Sequence, residues 1–239
     1  MLGAWSIVHG TDKTPGAVFA AALAERLAAH GKRVLLFELS PSAPALDILL
    51  GVSERVVYTL ADLPRISPED AALTVRENLC FIPLGVGEAA DSAQIRTAVS
   101  AMTPDVVLFS AERASLALAR EVSDGVLLLT DASPIGLRAA SALAENGDFD
   151  GFVLGDFVPT REWVKKTPSI IAIADALGLP LFGILPRIDP NNTYETMGKD
   201  FLSAVENMAG RLSGESIPLL RGIPIEGMRR RTFFERISE

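Results

Sequence analysis

A chain of 239 residues, 49% apolar and 22% charged, is long enough to bury one sizeable α/β core and leaves little for a second domain. Aromatics are only 6%, so Ala, Val, Ile and Leu must fill the core, as they do where helices pack on a buried parallel sheet. Acidic side chains outnumber basic ones by 30 to 22, a net charge of −8, which argues against a whole-surface nucleic-acid binder because neutralising phosphates needs a basic face.

Short apolar runs predict strands at Trp5–Val8, Val34–Phe37, Leu79–Pro83, Val106–Ser110, Gly125–Thr130, Gly151–Leu154 and Leu181–Leu185. Helix-period stretches fall between and after them, at Gly16–His30, Asp91–Ala101, Arg113–Val122, Pro134–Asn146, Pro168–Leu177 and Gly198–Leu212. This alternation predicts an α/β fold with a doubly wound, mostly parallel sheet and helices on both faces. Right-handed crossovers would open the functional crevice at the carboxyl ends of the strands. Cys80, the one cysteine, sits in the run Leu79-Cys80-Phe81-Ile82 and is expected to be a small buried hydrophobe in a reducing compartment. The apolar start stops at Val8 with no basic stretch before it, too short for a secretory signal, so a cytoplasmic protein is expected. Asp175, Gly178 and Pro180 break the apolar stretch from Ser169 to Pro186, which leaves peripheral contact as the expected mode of any membrane association. Residues 1–222 form the expected domain and 223–239 a separate tail.

In a doubly wound fold the loop after the first strand cradles phosphate. Here it reads His9-Gly10-Thr11-Asp12-Lys13-Thr14-Pro15-Gly16-Ala17 before an alanine-rich helix. A cradle needs successive backbone N–H groups, a lysine on the phosphates and a Ser or Thr on Mg²⁺ where the helix starts. Pro15 removes an N–H, Asp12 adds negative charge, and Gly16 and Ala17 occupy the helix start.

The run Gly31-Lys32-Arg33-Val34-Leu35-Leu36-Phe37-Glu38-Leu39, then Leu46-Asp47-Ile48-Leu49-Leu50-Gly51 and Arg55-Val56-Val57-Tyr58-Thr59-Leu60, resembles the MinD/ParA family of deviant P-loop ATPases, its MinD branch most of all. Asn78-Leu79 to Ile82-Pro83, Ser123-Asp124-Gly125 to Thr130 and Phe182-Gly183-Ile184-Leu185-Pro186 follow in the family's order, so the likeness spans Trp5 to Asp189. The resemblance implies a membrane-binding, dimeric P-loop fold acting in septum placement. Carried across residue by residue, it puts the signature lysine on Thr11, the phosphate lysine on Gly16 and the Mg²⁺ threonine on Ala17. The Asp-x-Asp pair of the switch falls on Glu38 and Ser40, the Asp after the fourth core strand on Ser110, and the adenine-reading Asn on Val158 beside Pro159. Phosphoryl transfer is almost entirely positioning and electrostatic stabilisation, so a degenerate site, no catalytic residue and no cofactor are expected. The alternatives are an active MinD-type ATPase taking ATP and Mg²⁺, in which Lys13-Thr14 serves a loop shortened by three residues, and a ParA-like partition protein. Without bridging phosphates, the dimer face should serve a nucleotide-independent self-dimer or pairing with an active paralogue, through Gly10–Gly16 and the Glu112–Arg113 region.

The two histidines are too few for a histidine metal cluster. His30 suits a helix C-terminus, and His9 ends the first strand at the crevice, where a structural role outweighs a pocket role. Asp131, Asp156 and Asp189 follow predicted strands, as metal-binding carboxylates or as helix caps, capping having the better prior. In the tail, Phe233, Phe234 and Ile237 fall on one helical face, with Arg229, Arg231 and Arg236 beside it and Arg230 spoiling it. That pattern predicts a short anchor on anionic membrane surfaces. An unidentified protein partner is expected and nucleic acid is not.

Overall fold

A computed structural model of the chain describes residues 3–9, 16–158, 160, 166–188 and 198–219. Its strands are β1 (Gly3–His9), β2 (Val34–Leu39), β3 (Leu73–Arg76), β4 (Leu79–Ile82), β5 (Val106–Ala111), β6 (Gly125–Asp131), β7 (Gly151–Phe157) and β8 (Leu181–Pro186). They form an eight-stranded sheet in the order β3-β4-β2-β5-β1-β6-β7-β8. Each pairing is parallel except that of β3 with β4. All seven sequence-predicted strands are present. The short antiparallel edge strand β3, Leu-Thr-Val-Arg, escaped the pattern because four residues with one buried face look like a loop.

The helices are α1 (Gly16–Ala29), α2 (Leu46–Leu49), α3 (Pro68–Ala71), α4 (Ser92–Met102), α5 (Leu116–Val122), α6 (Pro134–Glu145), α7 (Ile170–Leu177) and α8 (Lys199–Leu212). α5 is shorter than predicted, because Arg113–Ser115 is a separate 3₁₀ turn. Successive strand residues point to opposite faces, and the central strands are apolar on both. Leu36 and Leu108 turn to the face covered by α1 and α8; Phe37 and Phe109 turn to the face of α4, α5, α6 and α7. Their rings stack there with centroids 5.2 Å apart.

Polar caps mark the helix starts. Asp91 accepts the N–H of Ala93, Ser133 that of Gly136, and Ser169 that of Ala172. Cys80 is half-buried against the core rather than fully buried, because it lies on β4 one strand from the edge. At the end of the described chain the Arg211 guanidinium donates to the carbonyls of Ile217 (3.0 Å), Phe182 (3.0 Å) and Pro218 (2.7 Å), tying the segment after α8 to the entry of β8.

Candidate functional site

Parallel strands deliver their carboxyl ends to one edge of the sheet, and β1, β2 and β5 bring His9, Glu38 and Ser110 there. Glu38 pairs in register with Ser110. By alternation with Leu36 and Leu108, both point to the face covered by α1. α1 begins at Gly16, which is buried. A β-carbon at position 16 would lie 2.7 Å from His9 Cδ2 and 3.0 Å from its Cγ, so the imidazole fills the space where a side chain would start. Ala17 is half-buried.

The Glu38 side chain is almost wholly buried. Its Oε2 accepts the backbone N–H groups of Ala45 (3.1 Å) and Leu46 (3.0 Å), tethering the start of α2 to the end of β2. Its Oε1 is buried with no hydrogen-bond partner among the described residues, and the same holds for Ser40 Oγ and Ser110 Oγ. Burial pushes the Glu38 carboxyl up to about 7, against the downward pull of the Leu46 and Ala45 N–H groups. The Ser40 hydroxyl, close by but out of hydrogen-bonding geometry, adds a smaller downward pull, and the charge of Asp47 a small upward one. Glu38 is therefore a structural tether, which its position in the sequence alone did not reveal.

The loops above these strand ends are joined to one another. Gly87 N–H donates to Pro41 O at 2.9 Å, Leu60 N–H to Pro83 O at 2.8 Å, and Ser42 Oγ to Glu112 Oε1 at 2.8 Å. Around them Ile48, Val57 and Val86 stand 69%, 76% and 78% exposed, with Tyr58 beside them.

The remaining candidates divide. Asp131 Oδ1 accepts the N–H of Ser133 at 2.7 Å, holding the turn before α6, whose cap is Ser133 itself. Asp156 lies inside β7 rather than after it. It adopts a left-handed φ of 53°, and its two carboxylate oxygens bind Nε and Nη2 of Arg187 across to the end of β8. Val158, half-buried, follows this pair. His30 Nε2 meets Glu206 Oε1 at 2.7 Å where α1 ends, a structural role. Among the described residues no group of three or more His, Cys, Asp or Glu could hold a metal, and no helix is long and apolar enough to cross a membrane. Gly10, Thr11, Lys13 and Asp189 lie outside the described residues, as do Arg229, Arg230, Arg231, Phe233, Phe234, Arg236 and Ile237 of the tail.

No protein-family model matches the chain. Its sequence is 27% identical over 230 residues to the septum site-determining protein MinD of Synechocystis sp., covering 83% of this chain and 84% of that protein. Its fold matches MinD in the MinC:MinD complex of Aquifex aeolicus, with a TM-score of 0.75, 22% identity and coverage of 90% and 97% of the two chains. It also matches a ParA family ATPase of Chlorobium tepidum, with a TM-score of 0.66, 16% identity and coverage of 90% and 95%. The architecture is thus that of the MinD/ParA proteins, with sequence similarity to MinD.

Proposed function

We propose that this chain is a MinD-like scaffold or localisation protein that has lost ATP hydrolysis and acts in septum placement, polar localisation or secretion and pilus assembly through protein and membrane contacts. The observation that carries this reading is the close packing of His9 on Gly16: at the start of α1, where the resemblance calls for a lysine on the phosphates, any side chain would push against the His9 ring. The residues around it support the same reading. Ala17 has no hydroxyl for Mg²⁺, Ser40 and Ser110 bring no carboxylate, and Glu38 spends one oxygen on the start of α2. These residues favour the loss of Mg-nucleotide binding.

Contacts with proteins then carry the function. The exposed Ile48 of α2 and Val57, Tyr58 and Val86 of the loops tied to one another at the carboxyl end of the sheet suit a self-dimer or a pairing with an active paralogue without bridging phosphates. The MinD of Aquifex aeolicus forms a complex with MinC, and a comparable protein partner suits this chain. The basic, aromatic tail from Met228 to Ile237 supplies peripheral attachment to anionic lipid. A calorimetric titration with ATP and Mg²⁺ tests the central claim. One charge-assisted phosphate contact contributes about 1.5–3 kcal/mol, so losing the lysine and the metal shell together should weaken binding by several orders of magnitude. Saturable binding at micromolar ATP overturns the reading in favour of an active ATPase using Lys13.

A further inference from the structure

We propose that the apolar end of the sheet receives the basic, aromatic tail of a second copy of this chain, residues Met228 to Ile237. The inference rests on the reading of that end as a protein-contact surface and names what occupies it.

The receiving surface is apolar and acidic. Ile48, Val57 and Val86 stand out from segments joined to one another around the carboxyl ends of β2 and β4, through the bonds of Leu60 N–H to Pro83 O and of Gly87 N–H to Pro41 O. Exposed apolar side chains gathered on braced loops mark a contact site. Asp47, Glu54, Glu88 and Asp91 lie on the same segments. Arg55, the basic residue among them, donates to the carbonyl of Thr74 at 2.9 Å and is drawn toward the edge strand β3. An occupant of this surface therefore needs apolar side chains flanked by positive charge.

The tail has that composition. Arg229, Arg230, Arg231 and Arg236 surround Phe233, Phe234 and Ile237, with Glu235 as the one acid among them. The whole chain carries a charge of −8, so two copies repel one another over most of their surfaces, and the tail brings the opposite sign beside aromatic rings.

Reach selects a second copy over the tail's own molecule. Arg211 holds the carbonyls of Phe182 and Pro218 on the β8 edge, at the amino end of the parallel strands. Met228 is nine residues beyond residue 219, at most about 30 Å of fully extended chain. β2 lies five places from β8 in the sheet, about 24 Å at the usual strand spacing, and its carboxyl end is a strand length, about 20 Å, toward the other pole. The straight line between them, about 31 Å, runs through the sheet, and a path over the helices on either face is longer. In its own molecule the tail arrives only with the connector drawn taut, which costs most of its conformational freedom. A tail from a second molecule meets no such demand.

The test mixes ¹⁵N-labelled and unlabelled full-length chain carrying Phe233→benzoylphenylalanine, an aromatic photo-crosslinker, and maps the products by mass spectrometry. Lipid is left out, so attachment to membranes does not bear on the result. Cross-links should fall on residues 46–58 or 83–91 and join one labelled to one unlabelled chain. They should be lost in Val57→Asp/Val86→Asp, both exposed positions where a polar side chain is tolerated, and in Arg229→Glu/Arg230→Glu/Arg231→Glu. Cross-links that fall elsewhere, stay within one chain, persist in either variant or fail to form overturn the proposal. If Val57→Asp/Val86→Asp does not fold, the arginine variant, whose changes lie in the tail, decides. Light scattering separates this inference from the reading beneath it: a chain ending at Gly222 should lose the self-association of the full chain. One that still self-associates, and stops doing so with Val86→Asp, keeps the apolar end as an interface and overturns the tail as its occupant.

Discussion

Placing a lysine at the start of α1 with Gly16→Lys should not create nucleotide binding, for a reason written in the contact between α1 and β1. The new β-carbon would stand 2.7 Å from Cδ2 and 3.1 Å from Cβ of His9, inside van der Waals contact with a ring at the end of a central strand. Overpacking of this kind costs about 1–3 kcal/mol. Replacing glycine in a helix recovers at most about 1 kcal/mol of backbone propensity, so the clash should win. In a domain of this size 1 kcal/mol moves Tm by about 2–4 °C, and the variant should melt several degrees below wild type. His9→Ala/Gly16→Lys, which clears the ring, should regain most of that loss. Differential scanning calorimetry reads the melting temperatures, and an ATP titration on the same samples reads binding. A Gly16→Lys chain that melts with wild type and binds Mg-ATP at micromolar concentration, His9 intact, would refute the reasoning.

The tail should carry lipid binding: wild type should co-sediment with anionic but not neutral vesicles, and Phe233→Asp should abolish it; equal sedimentation of a chain ending at Gly222 removes the anchor. Val86→Asp should reduce self-association or capture of a paralogue in light-scattering and pull-down assays, whereas an unchanged assembly points away from the apolar end as the interface. Stability should depend on pH through Glu38. Its carboxyl sits near 4.5 when unfolded and at about 7 when folded, so the folded form binds the proton more tightly. The stabilisation should be complete below pH 4.5 and lost as pH rises through about 7, by about 3 kcal/mol, and urea titrations of Glu38→Gln should lack that decline. Arg76→Ala should lower unfolding free energy by about 1–3 kcal/mol, because Arg76 Nε meets the nearly buried Glu25 carboxylate at 2.7 Å; no change in urea midpoint would show that Glu25 is held without it.

The architecture was legible because the central strands of a doubly wound sheet are apolar on both faces and each crossover helix announces itself by period, as Val34–Leu39 and Val106–Ala111 show. What the pattern could not carry was direction. Cys80 belonged to an apolar run yet is only half-buried, since strand order sets exposure and order is a long-range property. Asp156 read as one more loop carboxylate, but its ion pair with Arg187 joins residues 31 positions apart on neighbouring strands. The residues that the family resemblance assigns to a phosphate loop and switch could be named from their spacing. That His9 occupies the space above Gly16, and that Glu38 is committed to the N–H groups of Ala45 and Leu46, depends on rotamers and loop course that no local pattern encodes.

Arg211 gives the molecule two poles. By gripping the carbonyls of Phe182, Ile217 and Pro218 it fixes the exit of the chain at the amino end of the parallel strands, on the β8 edge. Glu38, Ser110 and the exposed Val86 lie at the other end, a strand length away, about 20 Å. The end of the described chain is thus held at one pole, while the exposed Ile48, Val57 and Val86 stand at the other.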